Sequence, residues 1–303
     1  MSKGRRKFKK VAVLKGGPSA ECDVSLRSGA AVAKGLREAG YEVTEIIVRD
    51  KSVNLPPGIQ AVFVALHGEF GEDGRIQQIL EDRGIPYTGS GPAASETAFD
   101  KIRSKEILRR EGILTPEYEV VRRGDLLGLP LPVVVKPPRQ GSSLGIYRVF
   151  RRDQWKAALK GAFAYDDELL VEKYVKGREL TVGVVGDEVL PVVEIVAEAG
   201  WYSFTAKYGS KGTRYLVPAP LPAAVARRCA ETARRTFAAL GCRGMGRIDL
   251  RLTADGQAYV LELNSIPGFT ETSLLPKAAL AAGMSFAELC DRIMRLASLE
   301  SGK

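Results

Sequence analysis

Two runs of alternating apolar and polar residues flank Asp255-Gly256 in RIDLRLTADGQAYVLELN, residues 247–264, which is the pattern of a β-hairpin. If Asp255 and Gly256 form a two-residue turn, Ala254 faces Gln257 and pairs farther out keep the same sum of positions. Asp249 then lies opposite Glu262, and Arg247 opposite Asn264. Side chains alternate across a strand, so one face gathers Ile248, Leu250, Leu252, Tyr259, Leu261 and Leu263, and the other Arg247, Asp249, Glu262 and Asn264. Two carboxylates and an amide oxygen are hard donors suited to Mg²⁺, which takes one or two carboxylates and leaves its other positions to water and phosphate oxygens. A three-residue turn would shift the register and break the arrangement. A solvent face with cross-strand charge pairing is the alternative reading.

Such a cation site needs phosphate binders elsewhere. PVVVKPPRQGSSLG (132–145) offers one: an apolar strand ending at Lys136, then a Gly-Ser-Ser loop whose backbone N–H groups can line a polyphosphate. It is not a Walker loop, because no Gly-Lys-Ser/Thr follows the glycines. Lys101 in FDKIRSK and Lys207 in AKYGSKG are further cationic candidates, although each lysine taken singly reads as a surface residue.

The elements that must position these groups follow from periodicity. Lys10 to Leu14 reads as a buried strand, Gly16-Gly17 as a tight turn, and VSLRSGAAVAKGLREAG as a helix closed by Gly40. Strands at YEVTEIIV and AVFVAL and a helix around IQQILEDRG continue a βαβ pattern, which predicts a mostly parallel sheet covered by helices. A charged helix, DKIRSKEILRREG, then leads to strands at PVVVKP, GIYRVF, DELLVEKYV and ELTVGVVG, an antiparallel α+β unit. The last third adds VLPVVEIVA, a polar loop from Trp201 to Tyr215, the helix PAAVARRCAETARRTFAALG and the hairpin. The expected organisation is a basic, disordered arm (1–10), a Rossmann-like unit (11–98), a central α+β unit (99–185) and a C-terminal unit (186–303).

The formal charge of +9 is concentrated in that arm: six of the 45 Lys and Arg lie in MSKGRRKFKK, and removing them leaves 39 basic against 36 acidic residues. A nearly neutral body without aromatic interleaving in the arm argues against a nucleic-acid partner. The apolar run after the arm ends at Lys15, too short for a signal peptide, and no stretch approaches membrane-spanning length. Cys22, Cys229, Cys242 and Cys290 have neither metal-site spacing nor the density of a disulfide framework, so the expected compartment is the cytoplasm.

Taken together, the segments resemble the ATP-grasp ligases, and within them the D-alanine-D-alanine ligase family. GGPSAECDVSLRSG, ALHGEFGEDGRIQ, GIPYTGSG, DKIRSK, VVKPPRQGSSLGI, VEKYVKGRE, AKYGSKGTRY, GCRGMGRIDL, LELNSIPGFTETSLLP and AAGMSF occur in the family's order across nearly the whole chain. The resemblance implies an ATP-grasp fold in which two α+β units clamp ATP beside the Rossmann-like unit. It also implies an activity in which ATP phosphorylates the first D-alanine and the amine of the second displaces phosphate, and it suggests a homodimer.

By that resemblance, Asp249, Glu262 and Asn264 hold two Mg²⁺ (or Mn²⁺), and Lys101, Lys136 and Lys207 neutralise phosphate oxygens. Glu172 binds the ribose or the adenine amino group, backbone groups at Lys173 and Val175 read the adenine edge, and Glu179 takes ribose hydroxyls. Glu21 holds the first D-alanine's ammonium with His67 beside that substrate, while Ser142 and Tyr208 link Glu21 to a lid over the site. Arg247 and the N–H of Gly268 form the oxyanion site, and Ser273 with the N–H of Leu274 takes the second carboxylate at a helix N-terminus. Cys22-Asp23, Met245 and Phe269 depart from the family's usual residues without removing a proposed ligand.

The Lys207-Tyr208 pair favours an amine as the second nucleophile; D-serine stays an alternative, since an apolar pocket discriminates weakly against one hydroxyl. The rival readings are another ATP-grasp carboxylate-amine ligase and a nucleotide-binding regulator without turnover. The second has no use for a full set of metal ligands, an arginine and three lysines.

Overall fold

The computed structural model describes residues 7–197 and 212–300. β1 (Lys10–Gly16), α1 (Cys22–Glu38), β2 (Glu42–Val48) and β3 (Ala61–Val64) form the predicted βαβ start, with parallel strands in the order β2-β1-β3. Val11 to Leu14 are fully buried, as a strand covered on both faces requires. Order begins ahead of β1: Phe8 is buried and the N–H groups of Lys9 and Lys10 donate to Gln60 Oε1, so the end of the basic stretch is held against the body.

α2 (Arg75–Asp82), α3 (Pro92–Phe99) and α4 (Lys101–Arg110) follow. α3 starts with Pro at its first turn, where a missing N–H costs nothing. A single extended residue, Asp100, separates it from α4 and caps α4 by accepting from the N–H groups of Ile102 and Arg103. Lys101 is thereby fixed at the first helical position.

β4 (Tyr118–Arg122), β5 (Val133–Lys136), β6 (Tyr147–Val149), α5 (Trp155–Ala162) and β7 (Glu168–Lys173) make an antiparallel sheet in the order β4-β7-β5-β6. Val121, Val133, Val135, Val149, Leu169 and Val171 bury against Ala158 and Ala162 of α5.

β8 (Arg178–Val185), β9 (Glu188–Val189), β10 (Val193–Val196), β11 (Arg214–Leu216), α6 (Ala223–Ala239), β12 (Met245–Leu252) and β13 (Ala258–Asn264) build a second antiparallel sheet, order β11-β10-β8-β12-β13, with β9 beside β8. The strand ELTVGVVG, which the sequence groups with the strands before it, is β8 and pairs with β10 and β12 after it. Alternation identifies a strand but not its partner.

α7 (Leu274–Ala281) and α8 (Phe286–Arg295) close the chain. Ser285 and Glu288 form a capping box at the start of α8. Leu289, Cys290, Ile293 and Met294 of α8 join Val32 and Leu36 of α1 in the same core. Gly35 permits that approach, because a Cβ there would sit 2.9 Å from Cys290 Sγ.

Candidate active site

The hairpin reaches the pairing expected around Asp249 by a different route. Thr253 N–H donates to Gln257 O and Gly256 N–H to Thr253 O, so the loop holds Ala254, Asp255 and Gly256, three residues instead of two. Gly256 has φ +81°, the left-handed residue that ends a three-residue hairpin loop. Next to the loop Leu250 pairs with Val260 and Arg251 with Tyr259. A β-bulge at Leu261 then absorbs one residue, and beyond it Asp249 pairs with Glu262 and Arg247 with Asn264. The longer loop and the bulge cancel.

The assignment of faces near the turn is corrected accordingly. Ala258 and Val260, not Tyr259 and Leu261, face the core, and Leu261 instead lines a cleft between the two antiparallel sheets.

Asp249 is a hub on this face. It accepts from Arg247 Nε at 2.9 Å and Nη2 at 2.8 Å, from Thr181 Oγ1 at 2.6 Å on neighbouring β8, and from Asn264 Nδ2 at 3.2 Å. Because Asn264 donates through Nδ2, its carbonyl oxygen is what it offers a cation. Glu262 Oε2 lies 3.1 Å from Lys101 Nζ, which also donates to Gln140 O. Among the described residues no group of three or more His, Cys, Asp or Glu assembles. Two carboxylates plus one amide oxygen nevertheless fit Mg²⁺, a hard cation that keeps several positions for water and phosphate.

The inter-sheet cleft is bordered by Lys136, Ser143, Glu172, Lys173, Val175, Glu179, Asp249, Leu261 and Glu262. Glu172 is buried and spends its carboxylate on lysines: Oε2 lies 2.6 Å from Lys136 Nζ and Oε1 against Lys105 Nζ. Burial works to raise its pKa, but Lys105 and Lys136 outweigh burial and hold it below the ordinary carboxylate value. Burial pushes Lys105 down to about 8 despite Glu172. Lys173 N–H donates to Glu117 O, and Glu179 Oε2 accepts from Arg251 Nη2 at 2.8 Å.

A second cavity, of about 340 Å³, opens farther along the same face of the hairpin and is bordered by Glu21, His67, Glu72, Ser142, Arg247, Asn264, Gly268, Ser273 and Leu274. Glu21 precedes α1, and its Oε1 accepts from Ser142 Oγ. Ser142 and Ser143 both take positive φ, 50° and 59°, a conformation non-glycine residues rarely adopt, which turns this loop toward Glu21. Neither Gly68 nor Gly141 has room for a Cβ beside Glu21 Oε2, at 2.8 and 2.4 Å.

His67 Nδ1 lies 2.9 Å from Ile266 O and Nε2 2.9 Å from Ser28 Oγ, and Ser28 also accepts from Phe269 N–H. A carbonyl only accepts, so Nδ1 carries a proton. Both ring nitrogens thus hold the Ile266–Phe269 turn from two sides. Glu72, 3.7 Å from Nδ1, is held above the ordinary carboxylate value, chiefly by burial.

A Cβ on Gly268 would meet nothing closer than Ser273 Oγ at 3.5 Å, so no protein neighbour demands glycine there and any demand comes from the cavity. Ser273 caps α7 in extended conformation, with its Oγ accepting from Thr270 N–H.

Lys207 and Tyr208 lie outside the described residues. The other predicted groups distribute over the two cavities, except Lys101, which stands behind Glu262. Sequence reasoning missed Lys105, Thr181, Ser28 and Glu72. Lys105 had a signal, since it stands four residues after Lys101 on one helix face; Ser28 and Thr181 had none, because their partners are remote in sequence.

Residues 107–295 match the family profile described as D-ala D-ala ligase C-terminus, and residues 44–90 the one described as D-ala D-ala ligase N-terminus. The chain is 49% identical over 296 residues to the D-alanine-D-alanine ligase of Syntrophotalea carbinolica, covering 96% of this chain and 97% of the relative. It is 46% identical over 302 residues to that of Desulforudis audaxviator, covering 95% and 98%. The crystal structure of D-alanine-D-alanine ligase from Bacillus anthracis complexed with ATP superposes with a TM-score of 0.84 at 34% identity, covering 95% of this chain and 97% of that one. With both profiles matched in order and these relatives covered to 97% or more, the chain belongs to the D-alanine-D-alanine ligase family and has its ATP-grasp fold.

Proposed function

We propose that this chain joins two D-alanines at the expense of ATP, through a D-alanyl phosphate, giving D-alanyl-D-alanine for peptidoglycan precursors. The observation that carries this reading is that one hairpin borders both cavities: Asp249 and Glu262 face the inter-sheet cleft, while Arg247 and Asn264 face the cavity holding Glu21 and Ser273. A nucleotide in the first and an amino acid in the second would meet along one face of the hairpin, where the Asp249–Glu262 pair adjoins the Arg247–Asn264 pair. ATP as substrate accords with the ATP-complexed relative.

Carboxylate and amine do not condense directly, because hydroxide is a poor leaving group; phosphorylation substitutes a better one. Glu21 holds the ammonium of the first D-alanine, and Ser142 fixes Glu21; by family resemblance Tyr208 acts with Ser142. His67 acts beside this substrate through the turn it grips. Lys101, Lys136 and Lys207 neutralise the phosphates, and Glu172, Lys173, Val175 and Glu179 take the nucleoside. Asp249, Glu262 and Asn264 hold Mg²⁺ or Mn²⁺, two ions by family resemblance, whose charge offsets that of the phosphates when bound. Arg247 and the Gly268 N–H, which border the cavity, stabilise the oxyanion as the second amine attacks. Ser273 and the Leu274 N–H receive the second carboxylate, where the helix dipole favours an anion.

In this reading residues 11–98 receive the first D-alanine, the two antiparallel units, divided between β7 and β8 rather than after residue 185, clamp ATP, two chains form a homodimer, and the reaction is cytoplasmic. No helix among the described residues is long and apolar enough to cross a membrane. The test is phosphate release from Mg-ATP with D-alanine, L-alanine, D-serine or D-lactate, with mass spectrometry of the products. D-alanine should drive release and yield the dipeptide. ATP binding without D-alanine-dependent turnover refutes the substrate assignment.

A further inference from the structure

Glu172 sits between two ammonium groups that are not equivalent. Lys136 ends β5, leads into the Gly-Ser-Ser loop and borders the cleft. Lys105 lies behind the carboxylate, 1% exposed, with its Nζ also against Thr115 Oγ1; that hydroxyl donates in turn to Val260 O of β13. Of the two, Lys136 borders the cleft and Lys105 does not. A structural ion pair needs one cation per buried carboxylate, and a second is costly, as the depression of Lys105 by burial and by nearby Lys136 shows. The surplus cation makes sense if one of the two must leave.

We propose that Lys105 is a positioning residue for polyphosphate binding: it stays on Glu172 as a permanent counter-ion, so that Lys136 can exchange Glu172 for phosphate without stranding a buried carboxylate. This rests on the reading of the cleft as the ATP site. Without Lys105, Lys136 is the only cation on Glu172, and moving it to phosphate leaves an uncompensated buried charge, which is strongly unfavourable. The Thr115 link holds Lys105 from the far side and keeps it from following Lys136 into the cleft.

The experiment measures dissociation constants for Mg-ATP and for adenosine in wild type, Lys105→Met, Glu172→Gln and the double variant, with folding checked by thermal unfolding. Lys105→Gln serves as the second neutral variant where Lys105→Met does not fold. Losing Lys105 alone should weaken Mg-ATP by at least about tenfold and leave adenosine unchanged. In the Glu172→Gln background its loss should change neither, because no carboxylate remains to strand. Unchanged Mg-ATP affinity in the single variant overturns the inference while the ATP reading stands. An equal loss for adenosine marks a structural role, and a loss that persists with Glu172→Gln marks direct phosphate contact; either overturns it. A wild-type chain that binds no Mg-ATP overturns the reading of the cleft itself.

Discussion

Gly141→Ala isolates the placement of Glu21. A Cβ at this position would lie 2.4 Å from Glu21 Oε2, 3.1 Å from its Cδ and 3.2 Å from Oε1, where ordinary contact starts at 3.4 Å. The overlap is therefore about 1 Å, and it falls on the end of a side chain, not on backbone. Gly141 does not take a positive φ, so alanine brings no backbone strain. The fold should lose no more than about 1 kcal/mol. Function is more sensitive: Glu21 must swing away from Ser142 Oγ, and a misplacement of about 1 Å in a substrate-holding group costs on the order of 10²-fold. The assay is ADP release at saturating ATP with D-alanine varied, alongside ATP affinity and thermal unfolding. We expect kcat/KM for D-alanine to fall about 100-fold with ATP affinity and melting temperature nearly unchanged. Glu21→Gln added to the variant should cost little more, since both changes act on one group. A kcat/KM within about threefold of wild type would refute the reasoning that Glu21 is held by this contact.

Other outcomes follow from the same geometry. Glu72 is held above its ordinary value, so the native carboxyl binds its proton more tightly than the unfolded chain does and ionisation costs stability as pH rises from the unfolded toward the folded value. Glu72→Gln should therefore raise the melting temperature at pH 8 and not at pH 4; equal shifts at both would contradict the assignment. Gly29→Ala places a Cβ 2.4 Å from Lys15 Cβ, at the root of a side chain that cannot move away, where α1 crosses β1. It should destabilise by about 1–3 kcal/mol in denaturant unfolding, and no loss would mean the helix shifts freely. Thr181→Val removes one donor from Asp249, worth about 1 kcal/mol. It should raise the Mg²⁺ needed for half-maximal turnover about fivefold; an unchanged Mg²⁺ titration would remove Thr181 from the site.

Apolar alternation, Asp255-Gly256 and ten ordered motifs determined by themselves the parallel start, the existence of the hairpin and the family, because strand phase, turn chemistry and motif order are local properties of the chain. The same information placed Asp249 opposite Glu262, but for a reason that tertiary structure replaced: the loop has three residues, and the bulge at Leu261 restores the register. Only pairing with β8 on one side and Leu114 O accepting from Val260 N–H on the other define where that bulge falls. Long-range partners likewise decided that ELTVGVVG belongs with the last third of the chain, that α8 packs on α1, and that His67 grips a turn nearly two hundred positions away. Family resemblance makes Glu172 a nucleoside ligand on a strand that by periodicity alone reads as core. Folding encloses it between Lys105 and Lys136, because a carboxylate buried that deeply must keep a cation or lose its charge.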